Sequence, residues 1–300
     1  MGSLKEVKER IASIKGTRKI TSAMKMVASA KLHRMQGVVE KALPYQYKMN
    51  RILVNFLSGE NQEIHSPFTE VREVRRVAIV VFSSNTSLCG AYNANVIRSF
   101  QLKIEEYAHL GKGNIDVYPV GKKIQEVVVK NGIEPKGNYI ELAEKPTYED
   151  VAKLATLLME EFQNEKIDRV EIIYHHFKNM MVQDLMCEQL LPIDLNEIKE
   201  TAINDVNNNE KETSRYQFDY IIEPSPEEFI ANLLPAVIKQ KLYTTAVDSS
   251  TSEHGARSMA MQVATDNAND LIQELTVQYN KSRQQAITNE LLDIVAGSMK

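Results

Sequence analysis

The residues in this chain best suited to chemistry are the pairs His175-His176 and Glu253-His254 and the cysteines Cys89 and Cys187. Adjacent histidines could ligate a metal, and a Glu-His pair could act as general acid and base. Spacing argues against both. His175-His176 falls in VEIIYHHF, a strand pattern, where neighbouring side chains point to opposite faces and cannot chelate one ion. Glu253-His254 has no third ligand and no nucleophile nearby in sequence, so a capping or surface contact is expected there. The cysteines stand far apart, in no metal or redox spacing, and read as reduced, partly buried thiols of a cytosolic protein. In such a protein the glycosylation patterns Asn85-Thr86-Ser87 and Asn280-Lys281-Ser282 are chance matches. No catalytic residue, metal ligand or cofactor-binding residue is predicted.

Phosphate binding would need glycines at fixed offsets, so that backbone can approach the ligand. Neither GxGxxG nor GxxxxGK[ST] occurs. The first turn after a strand, SSNTSLCGAYN from Ser83 to Asn93, carries only Gly90, and Gly111-Lys112-Gly113 precedes a strand instead of following one. A nucleotide-dependent enzyme is therefore an alternative that lacks its motif.

The elements around these residues divide into a middle and two ends. Arg76–Ser84 is a continuous β-branched run, the mark of a strand buried on both faces. Ile115–Val120, Val170–Phe177, Gln183–Leu191 and Tyr216–Glu223 are further strand candidates. Helical patterns over Ala91–Leu110, Gly121–Asn131 and Tyr148–Asn164 separate the early ones. This alternation predicts an α/β, Rossmann-like domain with a mostly parallel sheet of roughly five strands. The last strand candidates have no helix between them and are expected to pair antiparallel. Ser58–Arg76 reads as a connector, and the Asn-rich Ile198–Arg215 as a mobile loop.

The ends are helical. Met1 to about Leu57 is one pattern interrupted by Pro44, opening on Leu4, Val7, Ile11 and Ile14 at coiled-coil spacing. Past Ile14 that register meets the polar Arg18, Thr21 and Lys25, while apolar residues move to Ile20, Met24 and Val27, so the helix presents two faces. Met24, Met26 and Met35 read as core or interface filler. A closing helix starts after Ser225, an N-cap ahead of Pro226, and Pro235 should bend it. A stripe of Ala256, Ala260, Val263, Asn267, Leu271 and Leu275 drifts around its axis. Ser249 to Gly255 reads as a weak spot. Ile287, Leu291, Leu292, Ile294 and Val295 then crowd its apolar end, behind a polar band of Arg283, Gln284 and Gln285. Helices this long are stable only when their apolar stripes are covered, so the two ends should pair as an antiparallel coiled coil. Residues 1–70 and 226–300 would form that shaft and 71–225 the globular part.

With 300 residues, 43% hydrophobic and 25% charged, the composition is that of an ordinary soluble protein. The longest apolar run, Val77–Phe82, falls far short of the roughly 20 residues that span a bilayer, and no signal or transit segment is expected. The net charge of −4 is uneven, because residues 1 to 35 hold nine Lys and Arg against two Glu. Nucleic acid could bind such an end, making a coiled-coil adaptor a second alternative, but stacking aromatics are absent from this stretch and an acidic protein partner fits as well.

IKGTRKITSAMKMVASAKL (Ile14–Leu32), SLCGAYN (Ser87–Asn93) and ATDNANDLIQELTVQYNKSRQQAITNELLDIVAG (Ala264–Gly297) resemble the γ subunits of the rotary F-type ATP synthase. Ser87 departs from that family's pattern, which commonly has glycine there. The resemblance implies a central stalk rotating inside a ring of α and β subunits, with no catalytic residues of its own. It implies that Met24, Arg283, Gln284, Thr288 and Glu290 meet the ring, and that Tyr220 and Glu223 face the c-ring and the ε subunit. No cofactor and no nucleic acid is implied, and membrane contact comes only through partners, on the cytoplasmic side of a bacterial inner membrane. The thiol switch of the chloroplast form is not expected, since Ile198–Arg215 contains no cysteine pair.

Overall fold

A computed structural model describes residues 4–57, 66–194, 222–223 and 225–298. Two helices dominate it. α1 spans Leu4–Leu57 and α6 spans Pro226–Ser298, at 54 and 73 residues, or roughly 80 and 110 Å of helix. Neither Pro44 nor Pro235 ends its helix. Ser225 caps α6 as expected, its Oγ accepting from the Glu228 amide at 3.2 Å.

Between them lie β1 (Val77–Phe82), α2 (Tyr92–Glu106), β2 (Ile115–Val120), α3 (Lys122–Lys130), α4 (Ile140–Glu144), α5 (Tyr148–Gln163), β3 (Arg169–Phe177) and β4 (Gln183–Leu191). The pattern read as helix up to Leu110 stops at Glu106 and continues as a short 3-10 turn, Ala108–Leu110. The sheet order is β2-β1-β3-β4, with β1 parallel to both neighbours and β3 antiparallel to β4. Four strands are thus present among the described residues. The fifth candidate, Tyr216–Glu223, lies outside them except for Ile222 and Glu223, which are not in a strand, and the Ile198–Arg215 loop lies wholly outside.

β1 explains its own sequence. Ala78, Val80 and Phe82 enter a core shared with α5, the Met49–Phe56 end of α1 and the Ile230–Ala246 part of α6. Val77, Ile79 and Val81 enter a second core with α2 and α3. A strand covered on both faces has no polar alternation to show.

The long helices run antiparallel. Arg18 donates to Asn269 at 3.2 Å, the Thr21 and Thr265 hydroxyls lie 2.8 Å apart, as do those of Ser29 and Ser258, and Gln240 reaches the Ala42 carbonyl at 3.5 Å. On α1 the seam keeps its heptad spacing through Val7, Thr21, Ala28 and Leu32, all buried, and leaves Ile20 and Val27 about 60% exposed on a second face. On α6 the structure corrects the stripe expected from Ala256 to Leu275. The buried positions are Met261, Ala268 and Leu275, with Thr265 and Ile272 half-buried between them, again at heptad spacing. Val263, Asn267 and Leu271 are exposed. Met26, expected to fill a core or interface, is likewise exposed in this chain.

Ser249–Gly255 needs the opposite correction. Every residue from Thr244 to Gly255 is buried. Here α6 passes between β3 and the β1–α2 turn, and small polar side chains allow the approach while bonding locally. Thr251 donates to the Val247 carbonyl at 2.7 Å and Ser252 to the His175 carbonyl at 3.0 Å. A Cβ on Gly255 would sit 2.9 Å from the Phe177 ring.

Candidate functional site

The titratable pairs do not assemble a reactive centre. His175 is buried and stacked on Tyr92, with ring centroids 4.4 Å apart, and burial pushes its imidazole down to about 4. His176 points the other way and holds Asp248 of α6 at 2.6 Å, which raises its pKa. Glu253 and His254 lie inside the molecule, not at its surface as expected. Burial raises the Glu253 carboxyl while Arg257, 2.7 Å away, opposes the rise. Burial, Lys31 and Arg257 together bring His254 down to about 4. Cys89 is fully buried, whereas Cys187, read as partly buried, is exposed on β4. Among the described residues no cluster of three or more His, Cys, Asp or Glu could hold a metal ion.

The β1–α2 turn is filled by protein. Arg257 donates to the Thr86 and Ser87 carbonyls, the Tyr92 hydroxyl lies 2.8 Å from Ser249 Oγ, and Gly90 faces Ala260. Asn93 closes the turn from within, accepting from the Ser84 amide at 3.1 Å. The strand end that cradles phosphate in nucleotide-binding sheets here cradles α6.

The residues picked out for contact fall in two places. Extrapolated one residue for one, the seam sets Leu4 level with about residue 283, so Gln284–Ser298 runs past Leu4 for roughly 22 Å. Arg283 lies exposed at the base of this stretch and Gln284, Thr288 and Glu290 along it, and the Thr288 hydroxyl donates to the Gln284 carbonyl at 2.9 Å. Ile287, Leu291, Leu292, Ile294 and Val295 stand 49–67% exposed beside them. Met24 is not part of that group. It is half-buried on α1, roughly 30 Å back along the shaft by the same register. Glu223 is exposed just before α6, and Tyr220 lies outside the described residues. Sequence reasoning missed the Glu253–His254–Arg257 cluster, whose burial is supplied by elements distant in the chain.

A long two-helix shaft rooted in an α/β domain, with a bare apolar tip and a filled strand-end turn, defines a protein built around a projecting helix. A family model described as ATP synthase matches residues 3–299. An ATP synthase gamma chain of Bacteroides fragilis is 60% identical over 299 residues, covering 100% of both chains. That of Flavobacterium johnsoniae is 41% identical over 298 residues, covering 99% of this chain and 98% of its own. The chain belongs to the ATP synthase gamma chain family, whose members are non-catalytic subunits of the complex. Among solved structures, the rotor of the Euglena gracilis mitochondrial ATP synthase matches with a TM-score of 0.59 at 17% identity, covering 95% of this chain and 98% of that one. The central stalk and c-ring structure from Tetrahymena thermophila gives a TM-score of 0.53 at 20% identity, covering 82% and 99%. Both are likenesses of fold. Among the described residues no helix is long and apolar enough to cross a membrane.

Proposed function

We propose that the chain is the rotating central stalk of an F-type ATP synthase, coupling rotation of the membrane c-ring to ATP synthesis or hydrolysis on the β subunits. The observation that carries this reading is the overhang of α6, an apolar tip that no described residue of its own chain covers. Apolar contact is non-directional, so a sleeve formed by α and β subunits can hold the tip without fixing its rotation. Polar groups behind the tip, Arg283 and Gln284, and beside it, Thr288 and Glu290, would meet successive β subunits and receive or deliver torque, with Met24 contributing lower on the shaft. The basic N-terminal part of α1 would be drawn to acidic segments of the ring. Residues 1–70 and 226–300 act as shaft and 71–225 as foot. Tyr220 and Glu223 would face the c-ring and the ε subunit, leaving membrane contact to the partners on the cytoplasmic side of a bacterial inner membrane.

Mixing the purified chain with α and β subunits under native salt should give one stable complex with ATPase activity. A bead fixed to the foot of that complex should rotate during hydrolysis. Failure to co-assemble, or ATPase activity with a stationary bead, would overturn the reading.

A further inference from the structure

Where the shaft meets the α/β domain, α1 and α6 are held unequally. Every residue of α6 from Thr244 to Gly255 is buried, and Asp248, Ser249 and Ser252 bond to the Phe177 amide, the Tyr92 hydroxyl and the His175 carbonyl. α1 passes the same level with little cover. Between Leu32 and Met49, both buried, Ala42 is the one buried residue. An open groove of about 680 Å³ lies between the helices here, lined by Gly37, Val38, Lys41 and Tyr45 of α1 and Gln240 and Tyr243 of α6. The bond that crosses it, from Gln240 to the Ala42 carbonyl, is 3.5 Å long.

Two residues weaken the same stretch of α1 from within. Pro44 has no N–H to give to the Glu40 carbonyl, and its ring crowds that carbonyl. Gly37, about two turns earlier, lowers helix stability although no group lies within 4 Å of where a Cβ would sit. Pro235 of α6 shows what is missing. Its neighbours Leu234, Val237 and Ile238 are buried in the core, whereas Pro44, Leu43 and Tyr45 are all exposed. Just beyond Pro44, Gln46 Oε1 and Tyr47 Oη are buried with no hydrogen-bond partner among the described residues. Opening the helix would give both to water.

We propose that residues 37–48 of α1 form a hinge, which opens locally while α6 beside it stays closed. The shaft above can then tilt or twist against the α/β domain through one helix while the other keeps it anchored. The hinge is a property of the chain itself, independent of the rotor reading.

Hydrogen exchange of the full chain, read by mass spectrometry under native conditions, tests it. Amides of 37–48 should exchange at least about tenfold faster than those of 18–32 in α1 and of 244–255 in α6. Gly37→Ala should slow exchange at 37–48 about fivefold, and Pro44→Ala on the order of 100-fold. Gly16→Ala is the control, the same change at an exposed glycine of the upper shaft whose surroundings are equally open. It should leave exchange at 37–48 unchanged. Circular dichroism establishes that each variant folds, and the comparison of segments needs no variant. Equal exchange along α1, slowing by Gly16→Ala as large as by Gly37→Ala, or unslowed exchange in folded Pro44→Ala would each overturn the hinge.

Discussion

Arg257 holds three groups at once, donating to Glu253 on its own helix and to the Thr86 and Ser87 carbonyls of the β1–α2 turn. Arg257→Met would leave a buried carboxylate unmatched, a loss of about 3–5 kcal/mol in urea unfolding. Adding Glu253→Gln should restore much of it. A double variant as unstable as the single would mean that the carbonyl contacts, not the bare charge, carry the effect. The histidines set the pH response, and they work in opposite senses. His175 and His254 titrate near 4 in the folded chain against an ordinary 6.5. As pH falls through that interval the unfolded chain takes up protons the folded chain refuses, which removes roughly 2–3 kcal/mol per residue by pH 4. His176 is raised by Asp248, so its contribution is complete below about 6.5 and fades as pH rises through its higher folded value. Thermal melts across pH should therefore fall away on both sides. His254→Gln should make the acid side less steep, and His176→Gln should flatten the alkaline side. An unchanged alkaline limb in His176→Gln would refute the Asp248 contact as its source.

At the scale of elements, what could be read from sequence was whatever an element shows in its own periodicity. β1 was legible because both of its faces are covered, and the α1 seam because Leu4, Val7, Ile11 and Ile14 keep strict spacing. The α6 seam was not. Its buried line passes through Thr265 and Ala268, while Val263 and Leu271 put apolar weight on a face this chain leaves open. Ser249–Gly255 was misread for the same reason, since its burial comes from β3 and the β1–α2 turn. The exposed residues proposed to meet the ring were named only by resemblance, because exposed side chains leave no periodic trace. The polar seam positions carry a prediction. Thr21 and Thr265 hydroxyls pair at 2.8 Å across the shaft. Thr21→Val alone should lose about 1 kcal/mol, whereas Thr21→Val with Thr265→Val should be near neutral, because both partners then become apolar at unchanged shape. Equal losses in chemical denaturation would show that the pair does not act as a unit. A turn gives a sharper case. Gly121, at φ +104°, joins β2 to α3, and a Cβ there would lie 2.3 Å from the Ser83 carbonyl oxygen. Gly121→Ala combines backbone strain with a backbone clash and should lose about 2–4 kcal/mol; a loss under 1 kcal/mol would mean the turn relaxes.

For the whole molecule, the division of labour along α6 decides what a deletion does. From Pro226 to Ala246 the helix is core for the sheet, from Thr244 to Gly255 it is wedged against β3, and from Met261 to Leu275 it zips to α1. Beyond about residue 283 it buries almost nothing. Deleting 287–300 therefore removes exposed apolar surface without removing core, and the isolated chain should keep its Tm within about 2 °C. It should also self-associate less, because a contiguous apolar patch invites contact between copies. In the assembled complex the same deletion takes away the tip on which the ring would close, so complex formation with α and β subunits should weaken first, and rotation in the surviving complexes should become irregular. Deleting from residue 272 onward is the contrasting case. It removes Ile272 and Leu275 and exposes Val7 of α1, so it should lower the stability of the isolated chain as well. Equal thermal stability for both truncations would place the end of the seam elsewhere. Undiminished assembly of the 287–300 deletion would show that the tip is not held by the ring.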